Sequence, residues 1–229
     1  MNQKELVKDI IQWDVKNWSA ALTFWEQHLD LNSRQLRCLE LGSRQGGLSL
    51  WLGKLGHYVI CSDIENPRDL AFPVHQKHGV EGLIEYKALK AEDIGYENHF
   101  DIIAFKSILG VVGIRNQNDK QEKAFEEIYK ALKPGGKLLF AENLKGSHFH
   151  QYLRKKFVRW GKKWNYPTIP EFKGFLQRFS SFQYGTGGIL GVLGKSEQQR
   201  NFLGTIDRAL LNKVIPENHQ YIIYGIAEK

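Results

Sequence analysis

The chain has 229 residues, a length suited to one α/β domain, and at this size roughly 70% of the unfolded surface can be hidden in a core. No stretch approaches the roughly 18 apolar residues of a membrane span, and the opening MNQKELVKDI mixes both charge signs without an apolar signal core, so a cytoplasmic protein is expected. The net charge of +7 is uneven: residues 1–114 hold 12 basic and 15 acidic side chains, residues 115–229 hold 20 and 10. Such asymmetry points to an acidic partner for the second half, whether nucleic acid, an anionic membrane surface at the inner face, or a phosphorylated substrate.

In chain order, residues 4–29 read as one helix, with Leu6, Ile10, Ile11, Val15, Trp18, Leu22 and Trp25 at spacings of mostly three or four. Short β-branched or leucine-rich runs then alternate with helices, the pattern of a parallel sheet covered on both faces. The runs are 37–41, 58–62, 83–87 and 100–105, with helices after the first run and from Pro67, a residue suited to a first helical turn. Cys38 and Cys61 fall in adjacent predicted strands and read as buried thiols rather than a disulfide. A helix over 118–132 is stopped by Pro134-Gly135-Gly136, and 137–142 gives a fifth strand. Residues 181–185 and 220–227 complete the series as an antiparallel pair at one sheet edge. The expectation is a single domain over 1–229 with a seven-stranded, mostly parallel sheet, helices on both faces, and no repeat or linker.

The most informative residues are Leu39-Glu40-Leu41-Gly42-Ser43-Arg44-Gln45-Gly46-Gly47, between the first strand and its helix. Open α/β sheets bind ligands there. Gly42 and Gly46 allow a sharp turn and a close approach of backbone to ligand. A dinucleotide site wants G-x-G-x-x-G for the pyrophosphate, and here Arg44 and Gln45 fill the middle positions. Glu40 suits the cationic amino group of a methionine moiety better than a pyrophosphate. Asp63, 21 residues after Gly42, stands near the spacing of an acid that accepts hydrogen bonds from a ribose. The competing reading of Asp63 is a turn or helix cap, and of the glycines a tight turn without ligand.

These residues resemble motif I of the class I S-adenosylmethionine (SAM)-dependent methyltransferases, E/D-x-G-x-x-x-G, and Asp63 is similar to that family's ribose acid. The similarity runs on through Ala91-Glu92-Asp93, like the adenine loop, Phe100-Asp101-Ile102-Ile103, and Leu132-Lys133-Pro134-Gly135-Gly136-Lys137-Leu138, like the L-K-P-G-G-x-L hallmark. One departure is Lys90, where the family often has Asp. The resemblance implies a Rossmann-like methyltransferase fold and SAM as cofactor, with S-adenosylhomocysteine as product. It places Glu40, Gly42, Ser43, Gly46, Asp63, Ile64, Ala91, Glu92 and Lys106 at the cofactor. The sulfonium brings an activated methyl group, so the protein binds, aligns and excludes water.

The acceptor side is expected from the helical lid at 1–30, the segment after the fourth strand and the basic insertion at 145–178. Trp18 is the lid candidate, against a reading as core. Ser107 follows the fourth strand, which lacks the D/N-P-P-Y/F/W signature of amino-group methylation. Glu142, His148 and His150 are candidate bases, since an alcohol acceptor needs one and histidine titrates near neutrality. Two histidines at i, i+2 share no helical face, so no metal pair is expected. From Lys145 to Arg178 there are nine Lys or Arg against the single Glu171. On one helix Leu153, Phe157, Trp160 and Trp164 would form an apolar stripe, with Arg154 and Arg159 among the charges. Such a helix could lie on an anionic membrane, or dock its stripe on the sheet. The C-terminal third, with Phe140–Leu144 and Gly191–Gly204, also resembles methyltransferases encoded with bacterial surface-polysaccharide enzymes. That implies O-methylation of a sugar, on a phosphorylated or lipid-linked carrier, with rings stacking on sugar faces and Arg154 and Arg159 meeting phosphate. The alternatives are a quinone-like or phenolic acceptor, an RNA, for which no appended binding module is present, and a SAM-binding protein without catalysis.

Overall fold

The computed structural model describes residues 3–114, 117–157 and 163–229. Seven strands form one sheet: β1 (Arg37–Leu41), β2 (Tyr58–Asp63), β3 (Ile84–Ala88), β4 (Phe100–Lys106), β5 (Leu132–Asn143), β6 (Ser181–Gly187) and β7 (Ile222–Glu228). Their order is β3-β2-β1-β4-β5-β7-β6. The first five pair in parallel, and β7 runs antiparallel to both β5 and β6. The expected antiparallel pair is therefore present, with β7 inside and β6 at the edge. The sheet has the expected Rossmann-like arrangement.

Because successive side chains of a strand point to opposite faces, the two alternations build two cores. Cys38, Cys61, Ile102, Ala104 and Leu139 pack beneath α1 (Gln3–Ile11), α2 (Val15–His28), α3 (Gly47–Lys54) and α4 (Arg68–Lys77). Leu39, Leu41, Ile103, Phe105 and Phe140 pack beneath α6 (Asn118–Ala131) and α8 (Ile169–Phe175). The one-turn α5 (Leu109–Val112) follows β4, α7 (His148–Phe157) follows β5, and α9 (Glu197–Ile206) precedes a π-helical turn at Asp207–Leu211.

Two expectations are corrected. The single helix over 4–29 is broken, with Gln12 at φ 71° and Asp14 at φ 45°. Apolar periodicity runs through the break, but Asp14 is fully buried and the amides of Asp14 and Val15 donate to Glu197. Tertiary hydrogen bonds override the local helical preference there. The basic stripe is also different. α7 is described as far as Phe157, Trp160 lies outside the described residues, and Trp164 stands outside any helix with its ring against Gly110.

α1 and α2 are packing elements rather than a free lid. Trp25 is fully buried and its indole N–H donates to the Gly225 carbonyl at 2.9 Å. The Ile10 carbonyl sits so close to Gly47 that a Cβ there would lie 2.0 Å from the oxygen. Lys77 at the end of α4 and His78 just after it hold Asp9, so α1 is tied to α4 as well as lying across the start of α3.

Candidate cofactor and acceptor site

The strand order reverses between β1 and β4, and ligands of open α/β sheets bind in the crevice at that switch point. Both loops bordering it have left-handed residues. After β1 these are Gly42 (φ 63°), Arg44 (φ 50°) and Gly46 (φ 70°); after β4 it is Ser107 (φ 59°). Arg44 and Ser107 carry a Cβ in a region that usually needs glycine, and such outliers cluster at functional sites. Gly46 is required twice over: a Cβ there would lie 2.5 Å from the His75 ring, whose Nε2 is 2.9 Å from the Gly46 carbonyl oxygen. His75 is buried, with Nδ1 2.8 Å from the Tyr86 hydroxyl, and was not foreseen from the sequence.

Glu40 has a different partner from the ammonium expected for it. Its carboxylate accepts from the Leu48 amide (3.0 Å), the Ser49 amide (2.7 Å) and the Ser49 hydroxyl (2.6 Å). The pleat directs Glu40 under the first turn of α3, where free N–H groups and the helix dipole favour a carboxylate. Burial nonetheless pushes its carboxyl up to about 7, against those hydrogen bonds. Ser43 is buried, and its hydroxyl is without a hydrogen-bond partner.

Asp63, at the end of β2, accepts from the Arg44 amide at 2.8 Å and its neighbour Ile64 at 2.7 Å. The first bond ties the β1 loop to the second strand, and Ile64 beside it is 60% exposed. The turn with Ala91 and Glu92 joins the same place, because the Leu89 amide donates to the Asp63 carbonyl at 2.7 Å. Gly42, Ser43, Gly46, Asp63, Ile64, Ala91 and Glu92 are thus gathered at the carboxyl ends of β1 to β3.

Lys106 ends β4. Its Nζ stands 5.3 Å over the Trp18 ring. Burial lowers its pKa, opposed by Glu40 and Glu142 on either side and assisted by Arg44. Trp18 is 2% exposed, and its indole N–H has no hydrogen-bond partner. It is a core residue bordering Lys106, which corrects the lid. Ser107 accepts from Asn143 Nδ2 at 2.6 Å, joining the ends of β4 and β5. Ile108 folds over Gly42, where a Cβ would lie 2.4 Å from Ile108 Cγ2. An open groove of about 600 Å³ lies elsewhere, between α6 and α8 around Phe125 and Phe175. Loop chemistry rather than open volume marks the site.

Two of the candidate bases, Glu142 and His150, are engaged by protein partners. Glu142 is buried and accepts from the Ile108, Leu109 and Asn143 amides at 2.7–2.8 Å. It holds the post-β4 loop in place, and burial pushes its carboxyl up to about 7. His150 is buried with both ring nitrogens engaged, Nε2 at 2.8 Å from the Ile189 carbonyl and Nδ1 at 2.9 Å from the Ser147 hydroxyl. That pattern fits a neutral ring donating from Nε2, and burial lowers its pKa. His148 is exposed on α7. Arg154, expected to meet an anion, is 6% exposed and donates to the Leu144 carbonyl at 2.6 Å, its guanidinium 4.1 Å from the Tyr166 ring centre. Arg159 lies outside the described residues.

A buried polar cluster at the same end of the sheet was missed. Asp14, Asn17, Asp207 and Tyr221 are each 3% exposed or less. The Tyr221 hydroxyl donates to Asp14, and Asn17 Nδ2 donates to Asp207 at 3.0 Å. Asp207 also accepts from three consecutive amides, Ile189, Leu190 and Gly191, at 2.9–3.0 Å. Burial pushes the Asp14 carboxyl up to about 7. Asp14 and Asn17 are three residues apart, but no spacing joins that pair to Asp207 or Tyr221, so no local signal could have revealed the cluster.

Comparison with known proteins agrees with the geometry. Residues 39–140 match the family model described as a methyltransferase domain. A ubiquinone/menaquinone biosynthesis C-methyltransferase, UbiE, of Vibrio cholerae serotype O1 is 36% identical over 112 residues, 46% of this chain and 40% of that protein. The chain therefore aligns with well under two thirds of that curated relative. Among solved structures, the Haemonchus contortus phosphoethanolamine N-methyltransferase 2 complex with phosphomonomethylethanolamine and S-adenosylhomocysteine has a TM-score of 0.62 at 17% identity, covering 93% of this chain and 53% of that one. The [4+2]-cyclase SpnF has a TM-score of 0.60 at 14% identity, over 94% and 80%. The neighbours share the fold, and one of them is named for a different reaction. Residues 39–140 of this chain match a methyltransferase domain model, and the chain shares the fold of those solved structures.

Proposed function

We propose that the chain transfers a methyl group from SAM to a small-molecule acceptor. The observation that carries this reading is the convergence of the Gly42–Gly46 loop and Asp63 at the switch point, within the residues matching a methyltransferase domain. The residues fit the cofactor: Gly42 is exposed without a Cβ, the buried Ser43 hydroxyl is unpartnered, and Asp63 keeps lone pairs for a ribose diol. Asp63, Ile64, Ala91 and Glu92 would hold the nucleoside, and Gly42, Ser43 and Gly46 the methionine end. Glu40 supports that loop from beneath through α3. When bound, SAM would supply an electrophilic methyl carbon on a sulfonium, whose sulfur keeps the C–S electron pair. The chain's part is alignment, exclusion of water by Ile108 and Trp18, and disposal of the acceptor proton.

That last need separates the acceptor classes. Glu142 and His150 are committed to protein partners, which weighs against an unactivated sugar hydroxyl. A phenol or quinol ionises more readily, and Lys106 would stabilise its oxyanion beside the Trp18 ring. We therefore favour an aromatic acceptor of the class named for the UbiE relative over sugar O-methylation. The test is calorimetry with SAM, S-adenosylhomocysteine and, as control, NAD, followed by turnover on a quinol, a phenol and a nucleotide sugar. SAM binding is expected, with Asp63→Ala weakening it by about 1.5–3 kcal/mol through loss of a charged hydrogen-bond partner. No SAM binding by folded protein would overturn the reading. Binding without turnover would leave a cofactor-binding protein.

A further inference from the structure

α7 wears its side chains in an unusual sense. Its inward face carries the buried His150 and Arg154, while Phe149 and Tyr152 are 54% and 56% exposed. His148, Lys155 and Lys156 share the outer face with them. Exposed aromatic side chains one helical turn apart, bordered by lysines, are not what a helix facing only water presents. The surrounding chain sharpens the pattern: between Glu142 and Glu171 there are seven Lys or Arg and no acidic residue. Lys145 and Lys163, at either end of this stretch, are exposed as well. The helix cannot roll to hide its rings, because Arg154 is bound to the Leu144 carbonyl and His150 to the Ile189 carbonyl. Those two contacts fix the outer face at the carboxyl-end rim of β5 and β6.

We propose that this face of α7 docks on an anionic phospholipid surface, Phe149 and Tyr152 entering the headgroup region and the lysines meeting lipid phosphates. Rings that are apolar at one end and lysines with long apolar stems suit that boundary. A second copy of the chain is disfavoured by charge. A two-fold contact would set the same patch against itself, lysine facing lysine with no acid to answer. The docking does not depend on methyl transfer, so the two readings can fail separately.

The experiment is co-sedimentation of the full chain with vesicles of phosphatidylcholine alone, and with about one-third phosphatidylglycerol added. Partitioning is expected only with the anionic lipid and should fall steeply with salt. Lys155→Gln with Lys156→Gln should weaken it about fivefold per charge removed. Phe149→Ala with Tyr152→Ala should weaken it about tenfold or more, with the melting temperature and SAM affinity unchanged. Absence of binding to the anionic vesicles, or equal binding by these variants, would overturn the proposal. So would self-association, or binding to a single-stranded RNA, that disappears in the aromatic variant while the vesicles show nothing.

Discussion

The two halves of the sheet's carboxyl end are built by different rules. On the cofactor side the decisive contacts are short in sequence: Glu40 reaches Ser49, nine residues on, and the Arg44 amide reaches Asp63, nineteen on. Where α2 meets β7 they are long: Asn17 reaches Asp207 across 190 residues, and Tyr221 reaches Asp14 across 207. The first half is a sequence motif that happens to be folded. The second exists only once the whole sheet is assembled, so stability and ligand binding should respond differently to damage in each.

The largest effect is expected at Asp207. Its replacement by Ala strands the buried Gly191 amide, the part-buried Ile189 and Leu190 amides and the buried Asn17 without their acceptor, which should cost about 3–5 kcal/mol in a denaturant titration. Asp63→Ala should do the reverse, losing SAM affinity with the melting temperature held. If Asp207→Ala leaves stability intact, the contrast between the halves collapses.

The histidines give a finer cut. His150→Ala removes two ring contacts in a buried place and should cost about 2 kcal/mol, while exposed His148→Ala should stay within about 0.5 kcal/mol. A large loss of turnover in a fully stable His150 variant would restore that residue as a base.

A further effect is a slope rather than a fixed loss. Asp14 has a folded pKa raised from 3.8 to about 7, so the folded state binds more protons than the unfolded chain between those values. Stability should therefore fall as pH rises through that window, and change little above it. One group contributes at most about 1.4 kcal/mol per pH unit. Asp14→Asn should flatten the slope; an unchanged slope would place the proton uptake on other groups, such as Glu40 and Glu142.

This division also explains what the sequence could show. The strand series, the Gly42–Gly46 loop and Asp63 are local patterns and appear where expected, whereas Pro134-Gly135-Gly136, expected to stop the helix ahead of the fifth strand, lies inside β5, which begins at Leu132 with an irregular register against β4. Glu40 was legible as a residue of the loop but not in its partner, because only the pleat of β1 and the seat of α3 direct it inward. The break at Asp14 was hidden behind an apolar periodicity that continues through it. Arg154 and His150 read as surface chemistry from composition, yet each is buried by a carbonyl that lies far away or around a turn. Polar residues that serve tertiary structure carry no periodicity of their own, and they are what the acceptor side is made of.

The place of β7 has a consequence for how the molecule comes into being. β5 finds its second neighbour only when β7 arrives, about 80 residues after β5 ends, and β6 joins the sheet only through β7. A ribosome emitting this chain would release the cofactor half with its five parallel strands ready to zip, while the open edge of β5 waits. Until then that edge offers unpaired backbone groups to any passing strand. The acceptor side, where new specificities would arise by mutation, is therefore also the side a chaperone would have reason to guard.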